Sequence, residues 1–332
     1  MTPSIRSTAL AVALCACGGP TTSVDGGAEI PSATLLAGAR DRPFSVTADS
    51  EHVYWSEYRV DEELLHLYRA PRAGGEPELL HTQFGGIGAL ALHDDGLFFT
   101  SGGLQRLDLE TREVREVQRG DAASTDDLVA RGGRLYWATW DGATGRVRSL
   151  RPDGTDAVVL GEREGRPSGP LGLDATHVYW ALADEGVILR SPREPGGATE
   201  VVAEDECARG GVAVDATHVY WHADPACTLT HGVTLRRAPR AGGAVEPLDE
   251  DISLLHQAAD GVYFVDYPQT RLHRVDGPAL GDFTEITRYD GSGRGSFARP
   301  NGVFVDAAGA FLVGYEDDEP SGLGWVATLP LD

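Results

Sequence analysis

The sequence contains no lysine: its 28 basic residues are all arginine, set against 51 acidic ones, for a formal net charge of −23. Asparagine occurs once, at Asn301, and methionine once, at the start. So acidic a surface repels a phosphate backbone, which excludes nucleic acid as a partner. No segment is apolar enough for long enough to span a bilayer. Nor does any segment show the 3.6-residue spacing of a long amphipathic helix. The motifs H-E-x-x-H and G-x-S-x-G and the Gly-rich phosphate loop are all missing. Cysteine occurs four times, as two pairs far apart.

What the chain has instead is a beat. Leu173–Trp180 reads L-D-A-T-H-V-Y-W and Val214–Trp221 reads V-D-A-T-H-V-Y-W. The same apolar-aromatic mark falls at Tyr54, Phe98, Tyr136, Tyr179, Tyr220, Tyr263 and Phe311, at spacings of 44, 38, 43, 41, 43 and 48 residues. A period near 40–45 carried by strand-forming residues is that of a propeller blade. Each repeat has the same order. A short strand a (such as 44–47) is followed by an Asp/Gly turn and the aromatic strand b. Strand c carries an Arg (Arg69, Arg106, Arg190, Arg237, Arg274), a Pro/Gly turn follows, and strand d closes the repeat. Gly and Asp suit such turns, and Pro presets φ. The last repeat ends without a strand d, while residues 34–37 resemble a strand d with no repeat before it. The reading is an all-β, seven-bladed β-propeller of four-stranded antiparallel blades, its ring closed by the N-terminal strand.

Residues 1–16 have Arg6 followed by a short apolar run, as in a secretory signal. The run ends in Leu14-Cys15-Ala16-Cys17-Gly18, which resembles the lipobox of bacterial lipoproteins. That resemblance implies cleavage before Cys17 and lipidation of Cys17; Gly18 behind it implies transport to the outer membrane. Residues 17–32 are rich in Gly, Thr, Ser and Pro and read as a flexible tether, leaving 33–332 for the propeller. Cys207 and Cys227 fall in loops of one face in an oxidising compartment, an even pair that suggests a disulfide, with two free thiols as the other reading.

The b-to-c and d-to-a loops share one face, here the upper face, where insertions such as 59–65, 225–231, 289–299 and 316–322 gather. Such loops are where binding usually sits. Tyr58, Trp140, Tyr267 and Tyr315 fall at the upper ends of strands b. They are candidates for stacking on a flat ligand, with packing between blades as the stronger alternative. Acids crowd the same face, among them Asp61, Glu62, Glu63, Asp126, Asp127, Asp184, Glu185, Asp249, Glu250 and Asp251. Ca²⁺ takes six to eight oxygens, but no spaced-acid loop is present and a solvated rim is the default reading. His52, His177 and His218 occupy equivalent turns in different blades and read as turn residues.

The Tyr-Trp marks, the strand-c Arg and the Gly turn resemble the YWTD-type propellers of lipoprotein receptors, and the organisation is similar to TolB-like propellers. YWTD-type rings have six blades, so six is the alternative count. The stretch 299–309, R-P-N-G-V-F-V-D-A-A-G, resembles the repeat of NHL and gluconolactonase-like propellers. That resemblance implies Asn301 as a ligand of a divalent metal such as Ca²⁺. Virginiamycin-lyase-like propellers look similar too. The expectation is a lipid-anchored envelope scaffold that recognises a protein or glycan through its loop face; a metal-dependent lactonase-like hydrolase or lyase is the alternative.

Overall fold

The computed structural model describes residues 34–332 apart from 60, 86–87, 95, 120–126, 184, 206–207, 225–232, 267–270, 278–282, 289–297, 317–322 and 330–332. Among the described residues there are strands and turns and no helix. Five four-stranded antiparallel sheets and one seven-stranded sheet surround an axis. The seven-stranded sheet is two blades sharing one strand. Glu246–Gln257 pairs through its first half with Val233–Pro239 and through its second half with Val262–Asp266. It is strand d of blade 5 and strand a of blade 6 without a break. Blades 1 to 4 span 43–84, 90–119, 129–164 and 167–204. Blades 5 and 6 span 208–288, and blade 7 comprises 298–329 and the N-terminal strand.

The core confirms seven rather than six. It divides into seven buried clusters, one at each blade-to-blade interface. The strand-b pair, aromatic at both positions in every blade but the seventh, builds every one of them. Successive side chains on a strand point to opposite faces. The first residue of each pair therefore faces the following blade and the second faces the preceding one. Tyr136 meets Trp180, Tyr179 meets Trp221, Tyr220 meets Phe264, and Phe311 of blade 7 meets Trp55 of blade 1. Trp55, Trp180 and Trp221 are fully buried.

Polar latches on the lower face fix the same contacts. The turn Asp of blades 1, 4 and 5 accepts the Tyr hydroxyl of its own strand b: Tyr54 to Asp49 at 2.7 Å, Tyr179 to Asp174 at 2.8 Å, Tyr220 to Asp215 at 2.6 Å. The Arg that follows Pro in the c-to-d turn then reaches back one blade. Arg240 donates to the Tyr179 hydroxyl at 3.0 Å, pairs with Asp174, and holds the main-chain oxygens of Asp215 and Ala216. Arg193 does the same to Tyr136. Blade 7 offers Phe311 and no hydroxyl, so Arg72 grips Asp306 with two bonds of 2.7 Å and lies over the Phe311 ring. Along the rim, the strand-c arginines hold the first carboxylate of strand d: Arg69 with Glu78, Arg190 with Glu200, Arg237 with Glu246.

The N-terminal strand closes the ring as expected but is longer than 34–37, running over Thr34–Asp41 beside Leu323–Leu329. Arg40 accounts for the extension. Its guanidinium lies 4.1 Å from the Tyr68 ring centroid, and its Nε donates to buried Glu57 at 2.5 Å. Trp55 Nε1 donates to the same carboxylate at 2.6 Å. The closing strand of blade 7 is thus locked to blade 1 by a buried ion pair. In the segment 59–65, read as a loop insertion, the ladder continues to Arg59 and resumes at Leu64, which pair with each other, with residues 61–63 in a turn between them.

Two outcomes follow. Trp221→Ala should cost about 3–5 kcal/mol of stability, whereas Tyr179→Phe, which removes only the hydroxyl, should cost about 1–2 kcal/mol; chemical denaturation measures both. Arg40→Ala strands a buried carboxylate and should cost about 3–5 kcal/mol. Much of that loss should return in the double variant Arg40→Met/Glu57→Gln, and a double variant no more stable than Arg40→Ala would show that the lock is not what Arg40 supplies.

Candidate functional site

The innermost strands of all seven blades leave an axial cavity of about 580 Å³. Each strand a has a hydrogen-bonded partner on its outer side only, so its inner edge presents main-chain groups that need partners. Side chains from neighbouring blades supply many of them. Ser45 Oγ of blade 1 accepts from Leu90 N of blade 2 at 3.2 Å. Asp127 of blade 3 accepts from Leu171 N of blade 4 at 2.8 Å. Arg131 of blade 3 donates to Leu173 O at 2.7 Å. Gln257 of blade 6 brackets the same residue, accepting from Leu173 N at 2.9 Å and donating to Leu173 O at 2.6 Å. His222 of blade 5 lies beside the Leu254 main chain of blade 6, and His256 of blade 6 beside the Val305 main chain of blade 7. Asn301 Nδ2 of blade 7 lies 3.5 Å from Pro43 O at the start of blade 1.

With those edges occupied, the cavity wall is largely aliphatic: Val46, Leu92, Val129, Leu171, Val212, Leu255 and Val303, one from each blade. Its lower end is bridged where blades 3, 4 and 6 meet on Leu173. Asp127 and Asn301 sit toward the upper end of the lining strands, Arg131 and Asp306 toward the lower.

Tyr58 and Trp140 are half-buried at the upper ends of their strands, and neither lines the cavity. The Arg166 guanidinium lies 5.5 Å from the Trp140 ring centroid, a contact between blades 3 and 4. Tyr315 pairs with Gly324 in blade 7. Cys17, Cys207, Cys227 and Tyr267 lie outside the described residues. Among the described residues, no three His, Cys, Asp or Glu side chains gather as a metal site would require. Asp127, read as part of a solvated rim, instead caps an inner strand edge. His177 and His218 bond to the preceding Thr hydroxyls at 2.8 Å, as turn residues do.

Gln257, Arg131 and the latch arginines were not singled out from the sequence. For Arg72, Arg193 and Arg240 a signal existed, because Arg follows Pro at the same turn position three times. Nothing in the local sequence marks Gln257, whose partner is 84 residues away.

No family model matches the sequence, and a search of curated proteins returns no match. Solved structures do match, and they are propellers. A catalytically inactive virginiamycin B lyase from Staphylococcus aureus with quinupristin aligns at a TM-score of 0.64 and 12% identity, covering 91% of this chain and 99% of that one. A streptogramin B lyase gives 0.63 and 12%, with coverage of 91% and 97%. PorZ, a bacterial surface component of the type-IX secretion system of Porphyromonas gingivalis, gives 0.58 and 14%, with coverage of 90% and 38%. At these identities the likeness is one of fold: the chain is a β-propeller.

The histidines behind the inner strands generate a pH dependence. Each residue retains some exposure, but protein surrounds the imidazoles closely enough that burial pushes the pKa of His222 and of His256 down to about 4. A folded pKa below the unfolded value near 6.5 means that the unfolded chain binds more protons between them. Their stabilisation is therefore complete above pH 6.5 and is lost as pH falls toward 4. The melting temperature should drop across that window, and His222→Gln should flatten the drop.

Proposed function

We propose that this protein is a lipid-anchored recognition propeller of the bacterial cell envelope, binding a protein or glycan through its upper face. The observation that carries the reading is the direction of the closing strand. Thr34 lies opposite Thr328 at the lower face, and Asp41 lies opposite Leu323 at the upper face. A tether from Cys17 therefore joins the ring at its lower face and turns the b-to-c and d-to-a loops away from the membrane. The 17 residue-to-residue steps from Cys17 to Thr34 reach about 55–60 Å when extended, enough to clear a lipid headgroup layer. The polar residues around the axis support binding over catalysis, since Gln257 and Asp127 hold strand edges. Asp306 is held in turn by Arg72. The fold itself does not choose, because its neighbours include lyases and a surface component of a secretion system.

The test starts at the anchor. Cys17→Ser should abolish incorporation of labelled palmitate and move the protein from the detergent phase to the aqueous phase. Retention of label would sink the anchored reading. Residues 33–332 should then bind an envelope protein or a glycan saturably, and Trp140→Ala should weaken that binding by about 1–3 kcal/mol, with thermal melting checking that the variant ring stays folded. Lactone hydrolysis that depends on Ca²⁺ and is lost in Asn301→Ala would replace this reading with the hydrolase.

A further inference from the structure

We propose that the axial cavity is a binding site for an uncharged, largely apolar small molecule that enters from the upper face. Its volume of about 580 Å³ falls within the ~300–1,000 Å³ of small-molecule pockets. A propeller axis is ordinarily polar, because the inner edges of seven strands point main-chain N–H and C=O groups into it. Here side chains of other blades cap several of those groups, as the bonds of Ser45, Asp127, Arg131 and Gln257 show. What the described residues present toward the axis is mostly apolar, with Ser45, Thr47, His256 and Asn301 as the uncharged polar side chains beside Gln257.

Among the described residues the charges of the lining also balance. Asp127 and Asp306 are the carboxylates and Arg131 the guanidinium, while Asp306 is neutralised by Arg72 from outside the cavity. A ligand carrying net charge would enter an apolar space with no uncompensated partner, and burying such a charge is costly. The entrance follows from the same bonds. Among the described residues, Gln257 and Arg131 converge on Leu173 and bridge the lower end between three blades, while the upper end carries Phe44, Pro170 and Leu254.

Two dyes with one ring framework test this directly. N-phenylnaphthylamine is uncharged, and anilinonaphthalenesulfonate adds an anionic sulfonate. The native chain should bind the uncharged dye at one saturable site with a micromolar Kd, at least about tenfold more tightly than the sulfonate. Val303→Trp places an indole in the cavity from blade 7 and should weaken the uncharged dye at least about tenfold. Phe44→Lys sets a cation at the half-buried mouth and should narrow or reverse the preference. Thermal melting checks that each variant is folded; if Val303→Trp does not fold, Phe44→Lys decides. Equal affinity for the two dyes, no saturable binding, or folded variants that bind like the native chain would overturn the proposal. The measurement involves neither the lipid anchor nor an envelope partner, so its failure leaves the upper-face reading standing.

Discussion

The structure depends on one repeated contact: the first residue of each strand-b pair packs on the second residue of the next blade's pair. A sheet of four strands has two faces and cannot bury both alone. Placing the aromatics on adjacent positions of one strand sends one to each face, so a single dipeptide serves two interfaces. Seven such interfaces close a ring with no free face. The polar latches are arranged around this contact. A Tyr hydroxyl brought to an interface needs a partner when it is buried, and the turn Asp and the following blade's Arg supply it. Where the aromatic is Phe311, the Arg moves to Asp306, which shows that the latch follows the aromatic.

Ring closure leaves a second problem at the axis, where every innermost strand has an unpaired edge. Side chains of neighbouring blades solve it across several junctions, and this has consequences for function. A His, an Asp or an Asn beside the axis resembles a catalytic set when it is taken singly. Asp127 bonded to Leu171 N is instead part of the scaffold. The same bonds turn the axial space from a polar channel into one with aliphatic walls.

The blade count and the ring closure were legible because strand order, aromatic position and turn chemistry recur at fixed offsets. Repetition lets one chain act as its own alignment. The Tyr-Trp pairs also read correctly as structural, since a single ligand needs no such repetition from blade to blade. The boundary between blades 5 and 6 was not legible, because Glu246–Gln257 runs through it as one strand. Arg40 was passed over as well: its role comes from insertion beside Trp55 and Tyr68, which is a matter of which strand lies against which.

By itself the sequence determined the fold class, the repeat and the closing strand, because each is written in local periodicity and short-range turn chemistry. Only the tertiary structure decided which side chains meet at the axis. Gln257 and Leu173 are far apart in sequence and belong to blades 6 and 4, and no local pattern can encode a contact that exists only once the ring is curved. The character of the axial cavity depends on contacts of that kind, and so does the face at which the chain enters the ring.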